Sequence, residues 1–321
     1  MKAAYAGGVN LFDNAEAYAS GGAETLMGEA IARGEAEGVW RRSDLVVTTK
    51  LFFGTALGAN SRGLSRKHIV EGLAASLARL RLPYVDIVYA HRPDPVVPIE
   101  ETVRAFNHVL DRGQAFYWGT SEWSCAQIAE ACAVAGRLGL VPPQVEQPEY
   151  SLFARQRVEL EYAPLYDSPA GLGLTTWSPL ASGVLTGKYS GLARGAAAPA
   201  GSRLTVASYK FLLDAKLGGE AWQIEAADEL APLAAQLGCS RAQLAIAWVL
   251  RNERVSTCIL GATTLAQLEE NLAALDVLPR LTAELAARAE AVGGGRAVPA
   301  RGKVDVQVRG IRDTSNVLGV E

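Results

Sequence analysis

Short runs of β-branched and apolar residues recur along this 321-residue chain, and each is followed by a longer segment whose apolar residues repeat at helical spacing. No other feature constrains the fold as strongly. The strand-like runs fall near residues 9–13, 44–49, 85–90, 115–119, 144–147, 172–177 and 255–260. Between them lie amphipathic stripes: Ile69, Val70, Leu73, Leu77 and Leu80 on one segment, Ile99, Val103, Phe106 and Leu110 on another, Leu265, Leu268, Leu272 and Leu275 on a third. Ser65, Ser124 and Ser240 stand where helix N-caps belong. Leu45-Val46-Val47 and Ile87-Val88-Tyr89 are apolar on both faces, which predicts a parallel sheet covered by helices and an α/β fold class. A barrel and a doubly wound sheet both satisfy that pattern. The doubly wound dinucleotide fold carries G-x-G-x-x-G at its first strand-to-helix turn, and no strand-to-helix junction has it here, so the barrel is favoured.

Composition narrows the function. With 49% hydrophobic and 20% charged residues the chain has material for a large core. The net charge of −3, with both signs interspersed, supplies no field for nucleic acid or an anionic membrane. No stretch approaches the ~20 apolar residues of a membrane span, so no membrane insertion is expected. Cys125, Cys132, Cys239 and Cys258 form no CxxC pair and have no matching His cluster. Neither a metal site nor a disulfide framework is indicated, and reduced thiols fit the cytoplasm. Two stretches read as irregular: residues 190–203, Gly/Ala/Pro-rich and long enough for a lid, and residues 293–321, a mostly disordered tail with a weak strand tendency over Lys303–Val308. The domain proper is taken as residues 1–292.

Reactive groups of parallel barrels sit where strands end. Asp13 ends Val9-Asn10-Leu11-Phe12, Lys50 ends Leu45-Val46-Val47-Thr48-Thr49, His91 ends Ile87-Val88-Tyr89-Ala90, and Tyr18 lies five residues past Asp13. Taken singly, each has an ordinary explanation as a turn, cap or solvated residue. Together they divide the labour of carbonyl reduction, in which hydride reaches carbon while an acid protonates oxygen. Tyr18 would be the acid, Lys50 would stabilise its phenolate, Asp13 would hold Lys50, and a neutral His91 would orient the carbonyl.

The chain resembles an aldo-keto reductase of the branch that contains voltage-gated potassium-channel beta subunits. The resemblance covers residues 5 to about 281. It rests on Gly8 to Tyr18 (GVNLFDNAEAY), Arg41 to Lys50 (RRSDLVVTTK), Arg62 to Glu71 (RGLSRKHIVE), Tyr84 to Asp94 (YVDIVYAHRPD), Glu100 to Arg104, Tyr117 to Ser124 (YWGTSEWS), Trp177 to Gly183 (WSPLASG) and Gln243 to Asn252 (QLAIAWVLRN). It implies a TIM (β/α)8 barrel, NADP(H) as cofactor, a small carbonyl substrate, and a tetrad of Asp13, Tyr18, Lys50 and His91. Animal channel subunits of the branch typically carry Asn at the last position, and His91 here favours retained chemistry.

The resemblance also implies a cofactor path. Ser121 and Gln147 would meet the nicotinamide amide. Trp177, Ser178, Pro179, Leu180 and Ser182 would line the pyrophosphate. Lys188, Arg203, Thr263 and Gln267 would receive the 2′-phosphate, with Glu270 and Asn271 at the adenine. Lys188 and Arg203 flank the expected lid, and Gly261-Ala262-Thr263 opens a predicted helix, an ordinary phosphate-binding arrangement. A homotetramer and docking onto a potassium-channel alpha subunit are implied in the same way. Family members begin with a hairpin, a first barrel strand and a full first helix, whereas Met1 to Ala6 correspond to the last turns of that helix. A barrel lacking its N-terminal hairpin and first strand is therefore expected. A truncated gene model is the preferred explanation, ahead of a fragment completed by another chain and of a barrel that stays open.

Overall fold

The structure is a computed structural model that describes residues 1–58, 60–167, 171–192, 198–206 and 220–294. Residues 193–197 of the expected lid and residues 295–321 of the expected tail, Lys303–Val308 included, lie outside the described residues. Two compact units are present, one of residues 1–148 and 162–175, the other drawn from residues 149–161 and 176–321.

The first unit opens on a short helix, α1 (Lys2–Ala6), and then alternates strands with helices. The strands are β1 (Leu11–Asp13), β2 (Val46–Leu51), β3 (Val85–Ala90), β4 (Ala115–Ser121), β5 (Val145–Gln147) and β6 (Gly173–Thr176). Helices α2 (Gly22–Ala36), α3 (Arg66–Leu80), α4 (Ile99–Asp111), α5 (Cys125–Leu138) and α6 (Ala163–Tyr166) separate them. Each strand pairs in parallel with the next in sequence, from β1 to β6. A doubly wound sheet would reverse its order at a switch point, and none occurs. With the seventh strand, β7 (Val255–Cys258), in the second unit, the described residues carry the seven strands expected of the TIM-barrel class without a first strand.

Helix starts follow the sequence signals. Ser65 Oγ accepts from the His68 amide, and Ser124 from the Gln127 amide. The amphipathic faces of the helices pack on the sheet. Phe106 of α4 stacks on Trp118 of β4 with centroids 4.9 Å apart and planes at 7°. Both are fully buried, and burial of such a ring contributes roughly 2–3 kcal/mol. Gly119, the next residue of β4, faces Val145 so closely that a Cβ would stand 2.4 Å from the Val145 carbonyl oxygen.

One boundary is corrected. Lys50 does not end its strand: Lys50 and Leu51 still pair with Tyr89 and Ala90, so β2 outruns the apolar segment that suggested it. The ladder, supplied by β3, sets the strand's end where hydrophobicity does not.

The second unit contains β7, α7 (Trp222–Glu229), α8 (Ala231–Leu237), α9 (Arg241–Leu250), α10 (Leu265–Leu272), α11 (Ala274–Val277) and α12 (Ala283–Val292). Ser240 and Gln243 form a reciprocal capping box at the start of α9. Among the described residues no helix is long and apolar enough to cross a membrane, and no group of three His, Cys, Asp or Glu side chains could hold a metal.

Candidate active site

Side chains alternate across a strand, so Thr48 and Lys50 of β2 share the face that Asp13 of β1 presents. Thr48 Oγ1 donates to Asp13 Oδ1 at 2.6 Å, and the Lys50 ammonium pairs with Asp13 Oδ2. Lys50 is wholly buried (0% exposed). Its Nζ also donates to the Asn14 carbonyl at 2.8 Å and to the Tyr18 hydroxyl at 3.4 Å. An ammonium has three donors, and these three acceptors use them all. Hydrogen bonds and an ion pair of this kind offset much of the cost of taking a charge out of water.

Tyr18 follows β1 in a short helical turn and is 43% exposed. Ala19 and Ser20, immediately after it, both hold left-handed backbone, at φ 49° and 48°. Non-glycine residues take that region at a cost, and such strain concentrates where geometry matters.

His91 leaves β3 with its amide bonded to the Leu51 carbonyl at 3.0 Å. The ring is buried among Tyr18, with centroids 5.9 Å apart and edge-on, and Phe53, at 5.1 Å and also edge-on. Burial first, then the charges of Lys50 and Arg92, push its pKa well below 6.5, so the imidazole is neutral at physiological pH. His91 Nδ1 has no hydrogen-bond partner among the described residues. The Arg92 guanidinium donates back to the His91 carbonyl and to Ser121 Oγ at 3.2 Å.

All four residues of the expected tetrad therefore meet in the first unit. Ser121 and Gln147 join them: Ser121 Oγ donates to the Gln147 carbonyl at 2.9 Å, and Gln147 Nε2 to Asp13 Oδ1 at 3.2 Å. Thr48, and Gln147 as a partner of Asp13, were missed as contributors. Period-two counting back from Lys50 would have found Thr48; no sequence signal points to Gln147 in that role.

In the second unit, Trp177 follows β6 and bridges Glu149. Ser178, Ala181, Ser182 and Gly183 have left-handed backbone, at φ 61°, 47°, 59° and 93°. Such turns form concavities lined with amides that suit anions. Pro179 is buried and Leu180 half-buried between them. Lys188 is exposed, and a Cβ on Gly183 would stand 2.7 Å from its Nζ, so the glycine leaves the ammonium room. Gly261-Ala262-Thr263 leads directly into α10, whose N-cap is Thr264. Thr263 donates through both N and Oγ1 to Gln267 Oε1, each at 2.9 Å. Gly261 and Glu270 are exposed and Asn271 is buried. The Arg203 side chain lies outside what the structure describes.

Residues 1–293 match the Aldo/keto reductase family. The chain is 58% identical over 285 residues to a rice (Oryza sativa subsp. japonica) protein named "Probable voltage-gated potassium channel subunit beta", covering 89% of this chain and 83% of that one. An Arabidopsis thaliana protein of the same name is 56% identical over 275 residues, covering 86% and 80%. On the family match, on identities of this size and on the Asp-Tyr-Lys-His cluster, the chain belongs to the aldo/keto reductase family of oxidoreductases.

Proposed function

We propose that the protein reduces aldehydes and ketones to alcohols, with NADPH as hydride donor and Tyr18 as general acid. One observation carries this reading: the wholly buried Lys50 ammonium, held by Asp13, reaches the Tyr18 hydroxyl at 3.4 Å. As hydride reaches the carbonyl carbon, the Tyr18 O–H bond breaks and the alcohol O–H bond forms. The phenolate left behind sits beside a fixed positive charge, which is there before the reaction and needs no reorganisation. Exposure of Tyr18 to solvent lets water return the proton. Because His91 Nδ1 is buried without a partner, we assign the ring proton to Nε2, where it donates to the substrate oxygen.

When bound, NADPH supplies the hydride. The donors present suit it: Ser121 and Gln147 beside the tetrad for the carboxamide, and in the second unit Lys188, Thr263 and the left-handed turns at 178 and 181–183 for phosphates. A cation at the phosphates favours NADP over NAD.

A second reading is favoured by the name of the plant relatives. The chain would act as an auxiliary beta subunit, a cytoplasmic homotetramer docked on a voltage-gated potassium channel, whose occupancy by NADP(H) biases the channel. NADPH fluorescence titration with turnover of a reactive aryl aldehyde, for the wild type and Tyr18→Phe, separates the two. Binding with turnover that falls about 10²-fold or more in Tyr18→Phe is expected. Tight binding without turnover in either protein would assign the auxiliary role, and absence of binding would overturn both.

A further inference from the structure

Glu16 lies two residues before Tyr18 and is 2% exposed, yet the chemistry above does not use it. Its surroundings show a hydrogen-bonded register. Beyond β1, the Asn14 amide donates to the Thr48 carbonyl at 3.0 Å and the Glu16 amide to the Lys50 carbonyl at 3.1 Å. The backbone then turns away towards Tyr18, and a backbone ladder can go no further. The Glu16 carboxylate continues it. Its Oε1 accepts from the Phe52 amide at 2.7 Å and from the Gly54 amide at 2.9 Å, and His68 Nε2 of α3 lies 3.0 Å from the same oxygen. Carboxylate acceptors of amides are stronger than neutral ones, and this one is shielded from water. Phe53, between the two clamped amides, is the residue whose ring meets His91. Gly72 leaves the pair its space, since a Cβ there would stand 3.3 Å from Glu16 Oε2 and 3.4 Å from His68 Cε1.

We infer that Glu16 is a positioning residue: its carboxylate, braced by His68, locks the segment bearing Tyr18 to the segment bearing Lys50 and Phe53, and so sets both the proton-transfer distance and the substrate-facing wall. The functional consequence rests on the reductase reading; the clamp itself does not. Glu16→Gln keeps an oxygen acceptor without the charge, Glu16→Ala removes the acceptor, and Gly72→Ala crowds the pair while deleting no polar group.

The experiment measures hydrogen exchange at the Phe52 and Gly54 amides, NADPH affinity, and kcat and KM for an aryl aldehyde. In Glu16→Ala, faster exchange at both amides is expected, with kcat/KM down about 10²-fold, since displacements near 1 Å at a reacting centre cost that much. NADPH affinity should stay within about threefold, Glu16→Gln should restore most of kcat, and Gly72→Ala should raise the aldehyde KM in a protein that remains folded. If Glu16→Ala does not fold, the Gln and Gly72 variants decide by the same readings. Unchanged exchange at Phe52 and Gly54, or faster exchange with kcat and KM intact, overturns the proposal. A wild type without turnover overturns the reductase reading alone, and the exchange measurement still decides the clamp.

Discussion

The neutral state of His91 makes the stability of the fold depend on pH. Burial and the adjacent Lys50 and Arg92 charges hold its pKa well below 6.5 in the folded chain, whereas the unfolded chain carries an ordinary histidine. Below pH 6.5 the unfolded state therefore binds a proton that the folded state refuses, and stability falls as pH falls. The contribution is fully present above about pH 6.5 and is lost progressively down to the lowered folded pKa. With the folded site still unprotonated at pH 5.5, one unit below 6.5, the loss is about 1.4 kcal/mol, the free energy of a tenfold protonation ratio in the unfolded chain. The comparison is with His91→Asn, which keeps every other ionisable group and cannot take up the proton. Urea unfolding at pH 7.5 and 5.5 should show the wild type losing about 1.4 kcal/mol more than the variant. NMR of ring-labelled histidine should show one imidazole that stays neutral at pH 5.5. Parallel pH dependence in the two proteins, or a His91 resonance titrating near pH 6.5, would refute the argument that burial and two cations govern this ring.

Lys50→Met should destabilise the chain by about 3–5 kcal/mol, because it leaves the Asp13 carboxylate, 8% exposed, without its cation; adding Asp13→Asn should recover part of that in urea unfolding. Gly119→Ala should cost at least about 2 kcal/mol in the same assay, since its Cβ would meet the Val145 carbonyl oxygen at 2.4 Å and backbone cannot yield as a side chain can. Ser240→Ala, which removes the acceptor for the Gln243 amide at the start of α9, should cost about 1 kcal/mol.

What could be read in the chain and what could not divide on a physical line. Strand and helix identity depend on side-chain period, and caps depend on residues three apart, so β3, α3 and the roles of Ser65, Ser124 and Ser240 were visible. The clustering of Asp13, Tyr18, Lys50 and His91 was visible because a parallel sheet puts every strand's end on one rim, and four complementary polar residues stood at or near it. Strand ends were not, since Lys50 belongs to β2 through pairing with Tyr89, a residue 39 positions away. Backbone strain was equally hidden: nothing in Ala19 or Ser20 as residue types signals left-handed φ, which the Tyr18 turn imposes on them. Glu16 shares the first of these difficulties. Its carboxylate acts through Phe52, Gly54 and His68, which lie 36, 38 and 52 positions along the chain. In the sequence it is one more acid in a turn, and only folding turns it into an acceptor that continues a β-ladder past the point where the backbone departs. Residues that react can be named from their chemistry, because their types are few; residues that hold the reacting groups in register can have almost any type, and the fold alone identifies them.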